Sequence, residues 1–240
     1  MLRCLILLLM IAQPALDEIG GALTQAERSY DVSGVESALS RLEAVAPADR
    51  SEEWQGFDAR GRLLAAELRR IEFEQLPESA AKERRDVGKV IDAHAEAGLV
   101  AVALLPESSE AHRIKADLIG TMIRSNYRAG KMKGDMKSAI DAALRLDPAN
   151  AKAMVSNAKM LVFNPQASEA DFEQGIALLE RALAIDGNLE AAALLQAHAL
   201  EQLGDRAAAM AIWARCLQAN PACKPARVAL EKAAPGPDGA

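Results

Sequence analysis

Aromatic residues are scarce in this 240-residue chain, which has four Phe, two Tyr and two Trp. Its core cannot rest on ring packing, and alanine and leucine must supply the contacts. Alanine is the best helix former and lets helix axes approach closely. Runs rich in Val, Ile, Thr and Tyr are missing, which argues against a sheet. Positive charge is not in excess: 28 Lys and Arg stand against 34 Asp and Glu, a formal −6. A nucleic-acid binder usually shows a basic face, so that class is disfavoured. Histidine is rare, and none of His94, His112 and His198 has metal-ligand spacing such as His-Glu-x-x-His. Asp92, His94 and Glu96 alternate along a helix and so point to different faces. Without strands there is no phosphate loop, and no nucleophile elbow is present. The reading is an all-α chain with no metal, no cofactor and no catalysis. The rival reading is an enzyme with a site among the helices of 50–105, around His94 and buried carboxylates.

Long apolar runs are also lacking, with one short exception. Leu5 to Ala12 is apolar throughout, Arg3 precedes it, and Pro14-Ala15 offers a cleavage region. The run is far shorter than the ~20 residues that span a bilayer. Residues 1–15 are read as a signal peptide and the protein as exported, to the periplasm, an oxidising compartment. The alternative is a buried N-terminal helix.

Apolar residues recur at helical spacing along the rest of the chain. Leu16 to Ser29 and Val35 to Ala46 read as a helix pair, closed by Pro47. A long helix follows, capped by Asp49 or Ser51, with the apolar stripe Trp54, Phe57, Leu64, Leu68 and Ile71. A second long helix runs from Glu78 to Leu105, with polar early turns expected to project; the alternative is a break near Gly88. Glu107 to Tyr127 is the next helix. The segment 124–137 carries five basic residues and two glycines. It is expected to be a loop, either solvated or meeting an anionic partner or membrane surface. Met136 to Leu146, Ala149 to Phe163, Ser168 to Ile185, Leu189 to Leu203, Asp205 to Ala219 and Pro225 to Ala233 follow as helices. Domain boundaries are placed at 16–106 for a divergent helical region, 107–234 for a repeat array with a cap, and 235–240 for a disordered Pro/Gly tail.

One phrase occurs three times: Ala-Ala-Leu-Arg-Leu-Asp-Pro at 142–148, Arg-Ala-Leu-Ala-Ile-Asp-Gly at 181–187, and Arg-Cys-Leu-Gln-Ala-Asn-Pro at 215–221. The second interval is 34 residues and the first is five longer, with the excess placed in the loop at Asn164–Ser168. Small residues fall at Ala197, Ala209 and Cys216, large ones at Leu200 and Trp213. The preceding unit repeats them as Ala158, Leu161, Ala170 and Ala182.

In period and in these positions the chain resembles the tetratricopeptide repeat family. The resemblance implies a right-handed α-solenoid of about five antiparallel helix pairs plus a C-terminal capping helix. It also implies a concave groove lined by the first helix of each pair. Carried residue by residue, the groove positions are Lys152, Val155, Lys159, Val162 and Phe163 in one unit. They are Ala191, Leu194, His198, Glu201 and Gln202 in the next, with Glu110, Arg113 and Asp117 one unit earlier. Lys152 and Lys159 would either grip a carboxylate or be solvated. The implied role is a non-catalytic module that binds another protein, a peptide or a partner's helix, or that self-associates. Ala-Ile-Trp-Ala-Arg at 211–215 after Leu-Gly-Asp at 203–205 is similar to the repeat domain of cytochrome c maturation factors, which hold an apocytochrome. The lengthened pairs and the loop at 164–168 are similar in plan to repeat proteins of periplasmic transport systems. Cys216 and Cys223 straddle the last helix end. They are read as a disulfide pinning the cap or as two buried thiols.

Overall fold

Eleven α-helices and one short 3₁₀ turn, Pro47–Asp49, make up the regular structure, with no strand among the described residues. In this computed structural model the backbone is described over residues 2–233 and the side chains over residues 16–233. The side chains of the leader read at 1–15 and the whole tail read at 235–240 lie outside the described residues. Two units form: Met1–Pro106 with Asp117–Ala129, and Glu107–Ala116 with Gly130–Ala240.

The first unit contains α1 (Leu2–Ser29), α2 (Val32–Glu43), α3 (Glu52–Gln75) and α4 (Ala81–Val102). Each packs on the next, and α1 also touches α3. That second contact depends on Gly20, since a Cβ there would lie 2.6 Å from the Phe57 ring. The glycine that weakens α1 as a helix thus lets the half-buried Phe57 ring lie against it. Ser51 is the cap of α3: its hydroxyl accepts from the Trp54 N–H at 3.1 Å, and Glu52 and Glu53 occupy the first turn. The buried Trp54 indole donates to Leu42 O at 2.9 Å, tying the end of α2 to the start of α3. Leu23, Val35, Leu42 and Ile91 are fully buried, each contributing ~1.5–3 kcal/mol by leaving water. The second long helix is unbroken at Gly88 and shorter than expected, because the chain at 76–80 turns before it.

The helices α5 (Ser109–Met122) and α6 (Asn126–Leu146) follow. Here the sequence reading is corrected: the basic segment is no loop, because α6 begins ten residues before Met136. Gly130 and Gly134 lower helix propensity but do not break the helix.

The second unit carries α7 (Ala151–Val162), α8 (Glu169–Ile185), α9 (Glu190–Gln202), α10 (Arg206–Ala219) and α11 (Lys224–Ala233). Successive helices pack in order, and the leading helices α7 and α9 touch each other. The three-fold phrase has a common local cause. Asp147, Asp186 and Asn220 each accept, through Oδ1, the N–H two residues on, at 2.9, 3.0 and 3.1 Å. This side-chain turn replaces the helix's next hydrogen bond and reverses the chain at the same point of each copy. It needs no proline, so Gly187 serves in the middle copy.

Ala158, Ala182, Ala192, Ala197, Ala199 and Ala209 are all fully buried. Ala158, Ala182, Ala192 and Ala199 form one cluster with Met154, Leu179 and Leu195, the small residues standing where helices approach. Ala170 is a correction. It is exposed in the first turn of α8, and the contact point is Gly175, where a Cβ would lie 2.8 Å from Val162 Cγ2. The five inserted residues at 164–168 precede it, so the count moves on by five. The Asn164–Ser168 loop then feeds a capping box in which Ser168 and Asp171 exchange hydrogen bonds.

Candidate functional site

The leading helices α7 and α9 carry most of the expected groove residues and α5 carries Glu110, Arg113 and Asp117; the structure separates them into three groups. Phe163 and His198 come together, their ring centroids 5.3 Å apart and their planes inclined by 33°. Phe163, the residue that ends α7, is 61% exposed, and His198 is half-buried on α9. His198 Nδ1 lies 3.9 Å from Glu201 Oε2, one turn further along α9. The two helices bring residues 35 positions apart in sequence to one patch. Ring, imidazole and carboxylate stand side by side there.

Lys152, Ala191, Glu201 and Gln202 are exposed, whereas Lys159 and Leu194 are half-buried. Ser168, Glu169 and Asp171 bring acidic and capping groups to the start of the neighbouring α8. The face is therefore mixed, with a cationic start at Lys152 and an aromatic, acidic end at Phe163, His198 and Glu201.

Val155 and Val162 do not line an open surface. Both belong to the core beneath, with Met154, Ala158 and Leu179. Arg113 and Asp117 are also buried. The Arg113 guanidinium is engaged by Glu110, which accepts from Nε at 3.0 Å and from Nη2 at 2.5 Å. The pair stands three residues apart on α5, and the buried guanidinium is turned along its own helix to Glu110. Burial follows from local sequence: Ala111, Ile114 and Ala116 flank Arg113 and are buried with it.

Cys216 and Cys223 are both buried, and no disulfide bond joins them in this structure. Burial, and then the neighbouring Cys223, pushes the Cys216 thiol up to about 11.

The enzyme alternative centred on His94. Its ring sits near Arg62, Arg69, Glu36 and Glu43, and burial, followed by the Arg62 charge, lowers its pKa. Asp58, also buried, is pushed up by burial and paired with Arg62 Nε at 3.3 Å. The cleft in this unit lies elsewhere and is not lined by His94. Among the described residues no group of three metal-ligating side chains converges.

Sequence reasoning missed a charge cluster in the first unit. Both oxygens of Asp92 accept from Arg128, at 2.7 and 2.9 Å, and Arg124 Nη2 lies 2.7 Å from Oδ2. Burial would raise the Asp92 pKa, but the hydrogen bonds from Arg128 and Arg124 outweigh it and hold the carboxyl below the ordinary value. No helical spacing marks the pair, because Arg124 lies in the link before α6 and only Arg128 is on that helix.

No helix among the described residues is long and apolar enough to cross a membrane. Neither a protein-family model nor a curated protein matches the chain. Among solved structures it is similar to YrrB, described as a TPR protein with an unusual peptide-binding site. The identity is 12% over 88% of this chain and 90% of that one, with a TM-score of 0.41.

Proposed function

We propose that the chain is a non-catalytic protein-interaction module that takes an extended peptide or a partner's helix along the face of α7 and α9. The observation that supports this most is the exposed Phe163 ring held against His198. An aromatic anchor beside charged neighbours is the composition at which binding energy concentrates. Peptide recognition needs side-chain pockets together with donors and acceptors for the partner's backbone and charges. Lys152 at one end and Glu201 and Gln202 at the other supply the polar part.

The test is affinity capture from an envelope extract, followed by titration of synthetic peptides from whatever is captured. Wild type is compared with Phe163→Ala and with Lys152→Glu plus Lys159→Glu. Loss of peptide affinity in both variants supports the reading; unchanged affinity removes this face from the recognition surface. The solution mass of the unliganded protein distinguishes a foreign partner from a second copy seated on the same face.

Export to the cell envelope belongs to the same reading and is supported only by the apolar run Leu5 to Ala12 behind Arg3. N-terminal sequencing of the protein from a periplasmic fraction tests it. A start near Leu16 supports export, and an intact Met1 in the cytosolic fraction overturns it.

A further inference from the structure

The first unit contains a cleft of about 420 Å³ whose charge is unlike that of the chain. Five of its lining residues are basic, Arg84, Arg85, Lys89, Arg124 and Arg128, and Asp92 is the one acidic member. Asp86, 3.2 Å from Lys89 Nζ, brings a second carboxylate to the rim. Three positive charges remain uncompensated, in a protein whose formal charge is −6. Crowding like charges is unfavourable, and a bound anion relieves it.

The cations are held in place while part of their donor capacity stays open. Arg124 and Arg128 are fixed on Asp92, and Arg124 Nη2 also donates to Gly88 O at 3.0 Å. Arg84 donates from Nη1 to Phe73 O at 3.0 Å and Leu76 O at 2.6 Å, and its guanidinium lies 4.2 Å from the Phe73 ring centroid. A guanidinium has five N–H donors, so these bonds leave Arg84 Nε and Nη2 for a ligand. Arg85 makes no hydrogen bond or ion pair among the described residues and is exposed. Donors positioned before binding lose little entropy when they bind.

We infer that this cleft binds the phosphate group of a small phosphorylated molecule. A carboxylate has two acceptor oxygens, and Asp92 already fills that role between two arginines. A phosphate monoester has three acceptor oxygens and close to two negative charges, so it answers several arginines at once. Five cations meet at one cleft of an acidic chain, and a cluster of that size fits a compact anion better than an extended nucleic-acid backbone or a membrane surface. Its volume is in the small-molecule range.

The probe is inorganic pyrophosphate, titrated calorimetrically into the full chain at low salt. Saturable binding that weakens as salt is raised is expected. Arg85→Ser with Lys89→Ser removes two exposed side chains of α4. That variant should keep its melting temperature and lose at least about tenfold in affinity, the effect of two charge-assisted contacts. Arg124→Gln should weaken binding further. No saturable heat with wild type, or equal affinity in the double variant, overturns the inference. A glutamate-rich peptide is titrated in parallel; if it binds more tightly than pyrophosphate, the phosphate assignment is overturned in favour of an acidic peptide.

Discussion

The Phe163 ring lies 5.3 Å from the His198 ring, although one belongs to the end of α7 and the other to the middle of α9. Only contact between the two leading helices brings them together. Because Phe163 is 61% exposed, Phe163→Ala should change stability by less than ~0.5 kcal/mol in a denaturant titration. The same variant should lose affinity for the peptide. A large stability loss would mean that the ring is core, not recognition surface.

Gly175 and Gly134 both lie inside helices but should respond oppositely to alanine. A Cβ at Gly175 meets Val162 Cγ2 at 2.8 Å, and a branched side chain in a packed core cannot swing away. Gly175→Ala should destabilise by ~1 kcal/mol or more despite better helix propensity. A Cβ at Gly134 meets nothing within 4 Å. Gly134→Ala should stabilise by ~0.5–1 kcal/mol. Chemical denaturation of both variants reads the difference, and equal signs would contradict the packing of α7 on α8.

Asp92 joins α4 to Arg124 and Arg128. Asp92→Asn should cost ~1–3 kcal/mol at neutral pH, since two arginines lose their charged acceptor. The folded-state pKa is depressed, so the contribution is present above the ordinary value of 3.8 and is lost as pH falls through the folded value. Wild type should therefore lose stability in that acid window, and the difference from Asp92→Asn should shrink there. Urea titrations at stepped pH measure it; a constant difference would show that Asp92 does not titrate through this pair.

Cys216 should react sluggishly with thiol reagents. Its thiol is pushed up to about 11 from 9.0, which leaves about a hundredfold less thiolate at pH 8. In a Cys4→Ser, Cys223→Ala variant, which keeps burial as the main cause of the shift, labelling should be slow in the native protein and fast in urea. The native rate should keep rising with pH beyond 9. Fast native labelling at pH 8 would show that the site is open.

Much of the fold was legible because its causes are local. The spacing of Val35, Leu39 and Leu42 marks a helix face, and all three are buried. Ser168 and Asp171 stand three apart, the spacing of a helix start, and α8 begins there with a capping box. The site was less legible. Val155 and Phe163 are both groove positions by pattern, yet one is core and the other exposed. Arg113 looked like an open cation until Glu110 and its buried neighbours took it up.

By itself the sequence determined the all-α class, the helix reversals at Asp147, Asp186 and Asn220, and the small residues at the helix contacts. Each depends on residues a few positions apart, where backbone geometry leaves little choice. Tertiary structure alone decided that Phe163 meets His198, that Gly175 and not Ala170 is the contact point, and that five cations share one cleft with Asp92. Those outcomes depend on how helices pack, and packing is set by the summed fit of many side chains, which no single short motif specifies.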